Sequence, residues 1–228
     1  MKLSIFLTRR ERLFGWSYLL ISLFVMPFAF TLLNALLTKP LSDTILNLIF
    51  FTVNFLAVCI VFHKFLLTSV KLALAKPLYC LRIALIGFAF YYCAMLFTSR
   101  GIKWFYPSFS NVNDSAIADL FKEYTSAMAF ATVFLVPITE ETFYRGLVFQ
   151  GLYQKNRILA YCLSTLVFAG IHIIGYIGLS DWQTLLLCFV QYLPADLALA
   201  WSYEKTDTII TPILIHIIVN QMGLIVSR

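Results

Sequence analysis

Charged residues are rare in this sequence. Its 228 residues include 17 basic and 11 acidic ones, or 12% of the chain, about half of the share in a soluble domain. Combined with a hydrophobic content of 61%, this scarcity excludes a disordered chain and a soluble nucleic-acid-binding protein. The formal net charge of +6 is typical of the cytoplasmic loops of a membrane protein, so we expect no nucleic-acid partner.

Cysteine is also scarce, and its pattern excludes two further classes. None of the five cysteines forms a CxxC pair, and each lies in or beside an apolar run. Buried thiols of this kind usually behave as small hydrophobic side chains. We therefore expect neither a zinc finger nor the disulfide framework of a small secreted protein. The sequence also lacks internal repeats and low-complexity segments.

Long apolar runs are what the sequence does contain. About 20 apolar residues cross a bilayer as a helix, and seven runs have this length: 14–38, 44–67, 78–98, 125–152, 158–178, 182–203 and 208–227. The first run is too long for the core of a signal peptide. We predict an all-α fold, a polytopic transmembrane helical bundle of about seven spans (six to eight). It forms one integrated membrane domain, with N-terminal helices and an external loop in 1–124 and a catalytic helical core in 125–228.

The basic residues predict the orientation of this bundle. With the N-terminus in the cytoplasm, eleven Lys and Arg residues lie on the cytoplasmic side and five lie outside, as the positive-inside rule requires. The longest loop, about 99–124, is then external. Its aromatic residues Trp104, Phe105 and Tyr106 favour an interfacial anchor or a lid over a soluble module.

A few ionisable residues lie deep inside the apolar runs. A charge at the centre of a membrane helix costs about 2.5–3.5 kcal/mol on insertion scales. Groups retained at that cost usually line a cavity or a functional site. The deep charged residues and histidines are Glu140, Glu141, Arg145, Asp196, His172 and His216.

The sequence EETFYR, starting at Glu140, has the pattern EExxxR in the fourth run. Glu141 and Arg145 are four residues apart, so they share a helix face and can form an ion pair. Glu140 points about 100° away from Glu141 around the helix, which allows the two acids different roles. Pro137 lacks a backbone donor and predicts a kink near Val133.

Two further motifs follow on later runs: FxxxH at Phe168–His172 and HxxxN at His216–Asn220. A carboxylate and an imidazole can hold and deprotonate a water molecule, and a second histidine with an amide can donate hydrogen bonds to an oxyanion. Alternatively, Glu140, His172 and His216 are a set of zinc ligands that leaves one position for water. Both interpretations indicate hydrolysis of a carbonyl compound such as a peptide.

The three motifs, in this order and on separate hydrophobic runs, resemble the CPBP family of CAAX proteases and bacteriocin-processing enzymes, also called the Abi family. The similarity covers about residues 125–227. It implies an intramembrane endopeptidase in which Glu140 activates water together with His172. The resemblance also implies that His216 and Asn220 bind the oxyanion.

The resemblance also implies supporting roles for Glu141, Arg145 and Phe168. The family is commonly described as metalloproteases, so Zn²⁺ is one interpretation, and no organic cofactor is expected. The sixth run departs from the family, which usually has small residues there, because it carries Gln191 and Asp196. Asp196 either faces the cavity or pairs with Arg145.

The implied partners are the lipid bilayer and a membrane-associated peptide or protein. Prenylated CAAX proteins, bacteriocin leaders and signalling-peptide precursors are all compatible with the motifs. The short chain favours a bacterial plasma membrane and a substrate without a prenyl group. Two alternative functions remain open: a non-catalytic bacteriocin self-immunity or regulatory protein of the same fold, and a proton-coupled transporter that uses the deep ionisable groups.

Overall fold

A computed structural model describes residues 3–121 and 125–226, and within these ranges the regular elements are helices. The predicted boundary at residue 124 and the two ends of the chain lie outside the described residues. The helices, numbered in chain order, are α1 Arg9–Ala35, α2 Asp43–Val61, α3 His63–Ala75, α4 Pro77–Phe105, α5 Val112–Leu120, α6 at 125–153, α7 Arg157–Ile174, α8 Trp182–Thr206 and α9 Ile210–Val226. The predicted all-α class is confirmed.

Side-chain caps explain where several helices begin. The hydroxyl of Thr8 accepts the N–H of Glu11 at 3.2 Å while the Glu11 carboxylate accepts the N–H of Thr8 at 2.8 Å, a capping box at the start of α1. Asn156 caps α7 in a similar way, through the N–H of Leu159. Asp181 caps α8, and the hydrogen bonds from Thr184 hold the pKa of the Asp181 carboxyl below its ordinary value.

Five helices of the described ranges are long and apolar enough to cross a membrane: α1, α2, α4, α7 and α8. The other two predicted spans correspond to α6 and α9, and α9 is a shorter apolar helix. Two π turns, Ala131–Leu135 and Thr142–Phe149, interrupt α6, and the first lies where Pro137 predicted a kink. That α6 and α9 also cross the bilayer stays a prediction.

The run 44–67 is not one helix: the span that it predicts ends at Val61, so the predicted end at residue 67 was wrong. The chain leaves helical geometry at Phe62 (φ −104°, ψ 21°), and α3 begins at the next residue. A carboxylate oxygen of the buried Glu11 accepts the N–H of Phe65 at 2.8 Å. Glu11 therefore satisfies a first-turn donor of α3 and stabilises a new helix start.

One apolar core joins the two halves of the chain. Leu19, Phe62 and Phe65 from the first half pack with Phe143 and Leu147 of α6 in a single buried cluster. Every residue from 141 to 150 is buried, because α6 packs against α1, α2, α7 and α9. α8 packs against α4, α7 and α9. The four helices that carry the sequence motifs and Asp196 thus meet in the middle of the bundle.

Candidate active site

Arg145 on α6 is the charge centre of the site. Its side chain is fully buried, as are those of its two partners. The guanidinium lies 3.1 Å from Oε2 of Glu141 and 2.7 Å from Oδ1 of Asp196. The ion pair predicted from the EExxxR spacing is therefore present, and Asp196 pairs with Arg145. Removing one partner from such a buried group leaves an uncompensated charge, which costs about 3–5 kcal/mol.

Asp196 connects this ion pair to α7. Its Oδ2 accepts a hydrogen bond from the hydroxyl of Thr165 at 2.7 Å and a longer one from Ser164 at 3.4 Å. The ring of Phe168, also on α7, lies 4.7 Å from the guanidinium carbon of Arg145, a cation–π contact. Three helices are thus linked by one buried positive charge.

The second oxygen of Glu141 orients His216. Oε1 of Glu141 lies 2.8 Å from Nδ1 of His216, and since a carboxylate only accepts hydrogen bonds, Nδ1 carries the proton. In the neutral ring Nε2 then has a free lone pair. It lies 3.9 Å from Oε2 of Glu140, too far for a direct hydrogen bond. That oxygen of Glu140 is buried and has no hydrogen-bond partner in the part of the chain that the structure describes.

The backbone orients His172 in the way that Glu141 orients His216, through the Nδ1 atom. Its Nδ1 donates to the carbonyl oxygen of Phe168 at 2.8 Å, so Nε2 of the neutral ring is again a free acceptor. The rings of Phe168 and Tyr192 lie 4.6 Å and 4.2 Å from the imidazole. The ring of Phe168 is also 6.4 Å from that of His216. Both predicted histidines therefore lie beside Phe168, each with an unprotonated Nε2 when neutral.

Asn220 binds α6 rather than another side chain of the site. Its amide donates to the carbonyl oxygen of Thr132 at 2.9 Å, within the first π turn of α6. The amide nitrogen has two N–H groups, so one remains for another acceptor. The contact ties the end of the HxxxN motif to the helix that carries Glu140.

A comparison with protein families matches residues 122–222 to the type II CAAX prenyl endopeptidase Rce1-like family. These residues contain all three motifs on α6, α7 and α9. The similarity to the CAAX protease family therefore covers the C-terminal part of the chain, a little under half of its length. Neither the curated proteins nor the solved structures that were compared match the chain. With five helices long and apolar enough to cross a membrane, the chain is an integral membrane protein.

Whether this site holds a metal depends on the donors that the fold brings together. Imidazoles whose Nδ1 binds a carboxylate or a carbonyl are typical of metal-binding histidines. Among the described residues, however, no group of three or more His, Cys, Asp and Glu side chains is placed to hold a metal ion. The set Glu140, His172 and His216 does not fit a zinc site in this arrangement, and Zn²⁺ stays a prediction.

Two residues of the site were missed in the sequence. Thr165 binds Asp196, and Tyr192 stacks on His172. Their spacing in the sequence could have indicated them. Thr165 precedes Phe168 by three residues and Tyr192 precedes Asp196 by four, so each shares a helix face with a predicted site residue. Neither signal identifies the partner, which lies on a different helix.

Proposed function

We propose that this chain is an intramembrane endopeptidase that hydrolyses a peptide bond of a membrane-associated peptide or protein. The similarity of residues 122–222 to the CAAX protease family supports the reaction class. The observation that carries the proposal is the buried Oε2 of Glu140, which lacks a hydrogen-bond partner among the described residues. A carboxylate oxygen left unpaired at such cost is suited to hold a water molecule.

Glu140 and His172 activate that water in the proposed mechanism. The carboxylate of Glu140 takes a proton from water while the water oxygen bonds to the carbonyl carbon of the substrate, and the carbonyl electron pair moves to its oxygen. Nε2 of His172, unprotonated in the neutral ring, accepts the other hydrogen bond of the water. When the tetrahedral intermediate collapses, the C–N bond breaks and Glu140 returns the proton to the leaving amine.

His216 and Asn220 are the proposed donors to the oxyanion. Asn220 has one N–H group left beside the one bound to Thr132. His216 can donate from Nε2 only when its ring is protonated, since Nδ1 already carries a proton for Glu141. A protonated His216 would lie between Glu140 and Glu141, which supply its counter-charges.

Glu141 and Arg145 position this machinery. The buried ion pair holds Glu141, and Glu141 in turn holds the imidazole of His216. The side chains of Glu140 and His216 are 22% and 10% exposed, whereas those of Glu141 and Arg145 are fully buried. The proposed catalytic groups are thus the accessible members of the cluster, and the supporting groups are the enclosed ones.

We propose a bacterial plasma membrane with the N-terminus in the cytoplasm. This orientation is supported by contacts that bring the segments rich in Lys and Arg together at one end of the bundle. Ser4 binds Asp207, and Leu7 binds Gln150. Tyr79 contacts the carbonyl of Lys205 at 3.1 Å. These contacts gather the N-terminal, 150–157 and 204–207 segments at one end, where most of the basic residues of the sequence lie.

The test is peptide cleavage by purified protein in lipid nanodiscs. Internally quenched peptides with a membrane anchor, either prenylated CAAX-type or hydrophobic leader-type, serve as substrates. We expect Glu140→Ala and His172→Ala each to abolish cleavage while inserting normally into the membrane, since each removes a group that holds the water. Asp43→Ala, at the start of α2, is the control and should cleave as the wild type does.

Unchanged cleavage by either site variant would refute the assigned roles. A wild type that inserts and folds but cleaves neither peptide would instead support the non-catalytic immunity or regulatory alternative. Proton uptake into vesicles that depends on Glu140, without cleavage, would support the transporter alternative. The two substrate classes are distinguished by which peptide is cut.

A further inference from the structure

Tyr192 on α8 contacts His172 with its ring and the external helix α5 with its hydroxyl. The ring lies 4.2 Å from the imidazole of His172 at an interplanar angle of 28°, a stacked pair. The hydroxyl donates to Oδ1 of Asp114 at 2.9 Å and accepts from Nδ2 of Asn113 at 3.1 Å. Tyr192 itself is only 8% exposed. One buried side chain therefore spans the space between α5 and the candidate catalytic histidine.

Helix α5 has little apolar attachment to the bundle. None of its residues, Val112–Leu120, is buried. Its N-cap is the buried Asn111, whose side-chain oxygen accepts the N–H of Asn113 and whose amide donates to Gln191 of α8 at 2.8 Å. A helix without a fully buried residue, anchored at its start by polar side chains, is typical of the low-stability part of a fold.

A cavity of about 350 Å³, lined by both polar and apolar residues, adjoins the same attachment point. It lies where α5 meets the ends of α4 and α8, and its lining includes Ser99, Lys103, Asn111, Asp114, Ser115 and Gln191. Asp114 both borders the cavity and holds the hydroxyl of Tyr192. A group that enters this cavity can therefore compete for the hydrogen bond that connects α5 to Tyr192.

We propose that Tyr192 is a positioning residue that couples α5 to His172. The ring fixes the plane of the imidazole, whose Nδ1 bond to Phe168 constrains one atom but leaves the ring free to tilt about it. The hydroxyl holds α5 over this pair. Displacement of α5 then releases the hydroxyl, and the orientation of His172 changes with it. An effect of this coupling on catalysis rests on the proposed role of His172 in water activation. The coupling itself, from α5 through Tyr192 to His172, does not depend on that role.

Histidine-labelled NMR tests the coupling directly, because the chain has three histidines and so gives three ring signals. His63, on α3, serves as the internal reference. In the double variant Asn113→Ala/Asp114→Ala, which removes two contacts of the hydroxyl and leaves the stacked rings intact, we expect the His172 signal to shift or broaden while the His63 signal stays in place. Ser115→Ala is the matched control on α5, since its hydroxyl bonds to Ser110 and to the Asn111 carbonyl.

Tyr192→Phe separates the two contacts of this residue. It keeps the stacked ring and removes the hydroxyl, so backbone amides over 112–120 should exchange with solvent roughly fivefold faster, the factor expected for one net hydrogen bond. Tyr192→Leu removes the ring as well, and the His172 signal should lose its ring-current shift. An unchanged His172 signal in the double variant, or unchanged exchange in Tyr192→Phe, would overturn the proposal.

The peptide-cleavage assay tests whether the coupling between α5 and His172 affects catalysis. For a wild type that cleaves, the double variant on α5 should lower kcat more than it changes KM, whereas Ser115→Ala should change neither. A wild type that does not cleave would refute the proposed function and leave the NMR test of the coupling intact.

Discussion

Glu141 and His216 form the link between the buried ion pair and the accessible part of the site, with Oε1 and Nδ1 2.8 Å apart. Glu140, the adjacent residue, has an oxygen without a hydrogen-bond partner among the described residues. Neighbouring residues of a helix differ by about 100° in direction, so the two acids face different surroundings. Substitutions of the two acids should therefore separate effects on stability from effects on catalysis.

Substitution of each glutamate by glutamine should affect a different property: stability for Glu141 and cleavage for Glu140. Glu141→Gln leaves Arg145 with one counter-charge in a buried site, and the free energy of unfolding should fall by roughly 2–3 kcal/mol. Glu140→Gln breaks no observed hydrogen bond of Oε2, so stability should stay within about 0.5 kcal/mol of the wild type while cleavage is lost. Unfolding in detergent measures the first quantity and the quenched-peptide assay the second. Equal destabilisation by both variants would contradict the assignment of roles.

Removal of metal should leave cleavage intact. The proposed water is held by Glu140 and His172, and the described donors are not grouped around a metal position. Protein treated with a chelator, passed through desalting and checked by elemental analysis should cleave at the wild-type rate. Loss of cleavage that Zn²⁺ restores would instead support the predicted ligand set Glu140, His172 and His216, in which the metal lowers the pKa of bound water.

Gly146 on α6 allows the close approach of α3. A Cβ atom at this position would lie 2.7 Å from Cε1 of the buried Phe65. Gly146→Ala should therefore lower the free energy of unfolding by about 1–3 kcal/mol through overpacking. Gly151→Ala is the matched control on the same helix, because a Cβ there meets no atom within 4 Å. It should be neutral or slightly stabilising, as alanine favours helices over glycine. Equal loss in both variants would contradict a specific role for the contact with Phe65.

Glu11 should stabilise two helices at once. One of its oxygens accepts from Thr8 at the start of α1 and the other accepts the N–H of Phe65 at the start of α3. Glu11→Ala should cost about 2–4 kcal/mol, the sum of a lost cap and a lost charged hydrogen bond in a buried place. Thermal unfolding in detergent measures this, with the exposed Asp43→Ala as control. A loss no larger than that of Asp43→Ala would exclude the double capping role.

The proposed orientation can be measured with introduced cysteines. Ser110→Cys lies in the segment expected outside, and Lys155→Cys lies in one expected in the cytoplasm. A membrane-impermeant maleimide on intact bacterial cells should label the first variant and label the second only after lysis. The unsubstituted chain gives the background from its five native cysteines. The reverse pattern would invert the bundle and would refute the positive-inside argument.

The sequence predicted features that depend on spacing within one helix. The apolar runs gave the helical bundle, and the four-residue spacing gave the ion pair of Glu141 with Arg145. The order of the three motifs indicated the family that residues 122–222 match. Each of these follows from the helical period and from the cost of placing charge in a bilayer, which act on neighbouring residues whatever the rest of the fold does.

Contacts between distant segments could be decided only by the tertiary structure. Asp196 had two possible roles until α8 was seen to pack beside Arg145. The break at Phe62 required the carboxylate of Glu11, from a different helix, to supply the cap. Tyr192 resembled an ordinary membrane aromatic, yet its ring meets His172 and its hydroxyl meets α5. Local periodicity determines which side chains share a helix face, whereas the packing of helices far apart in the chain determines which faces meet.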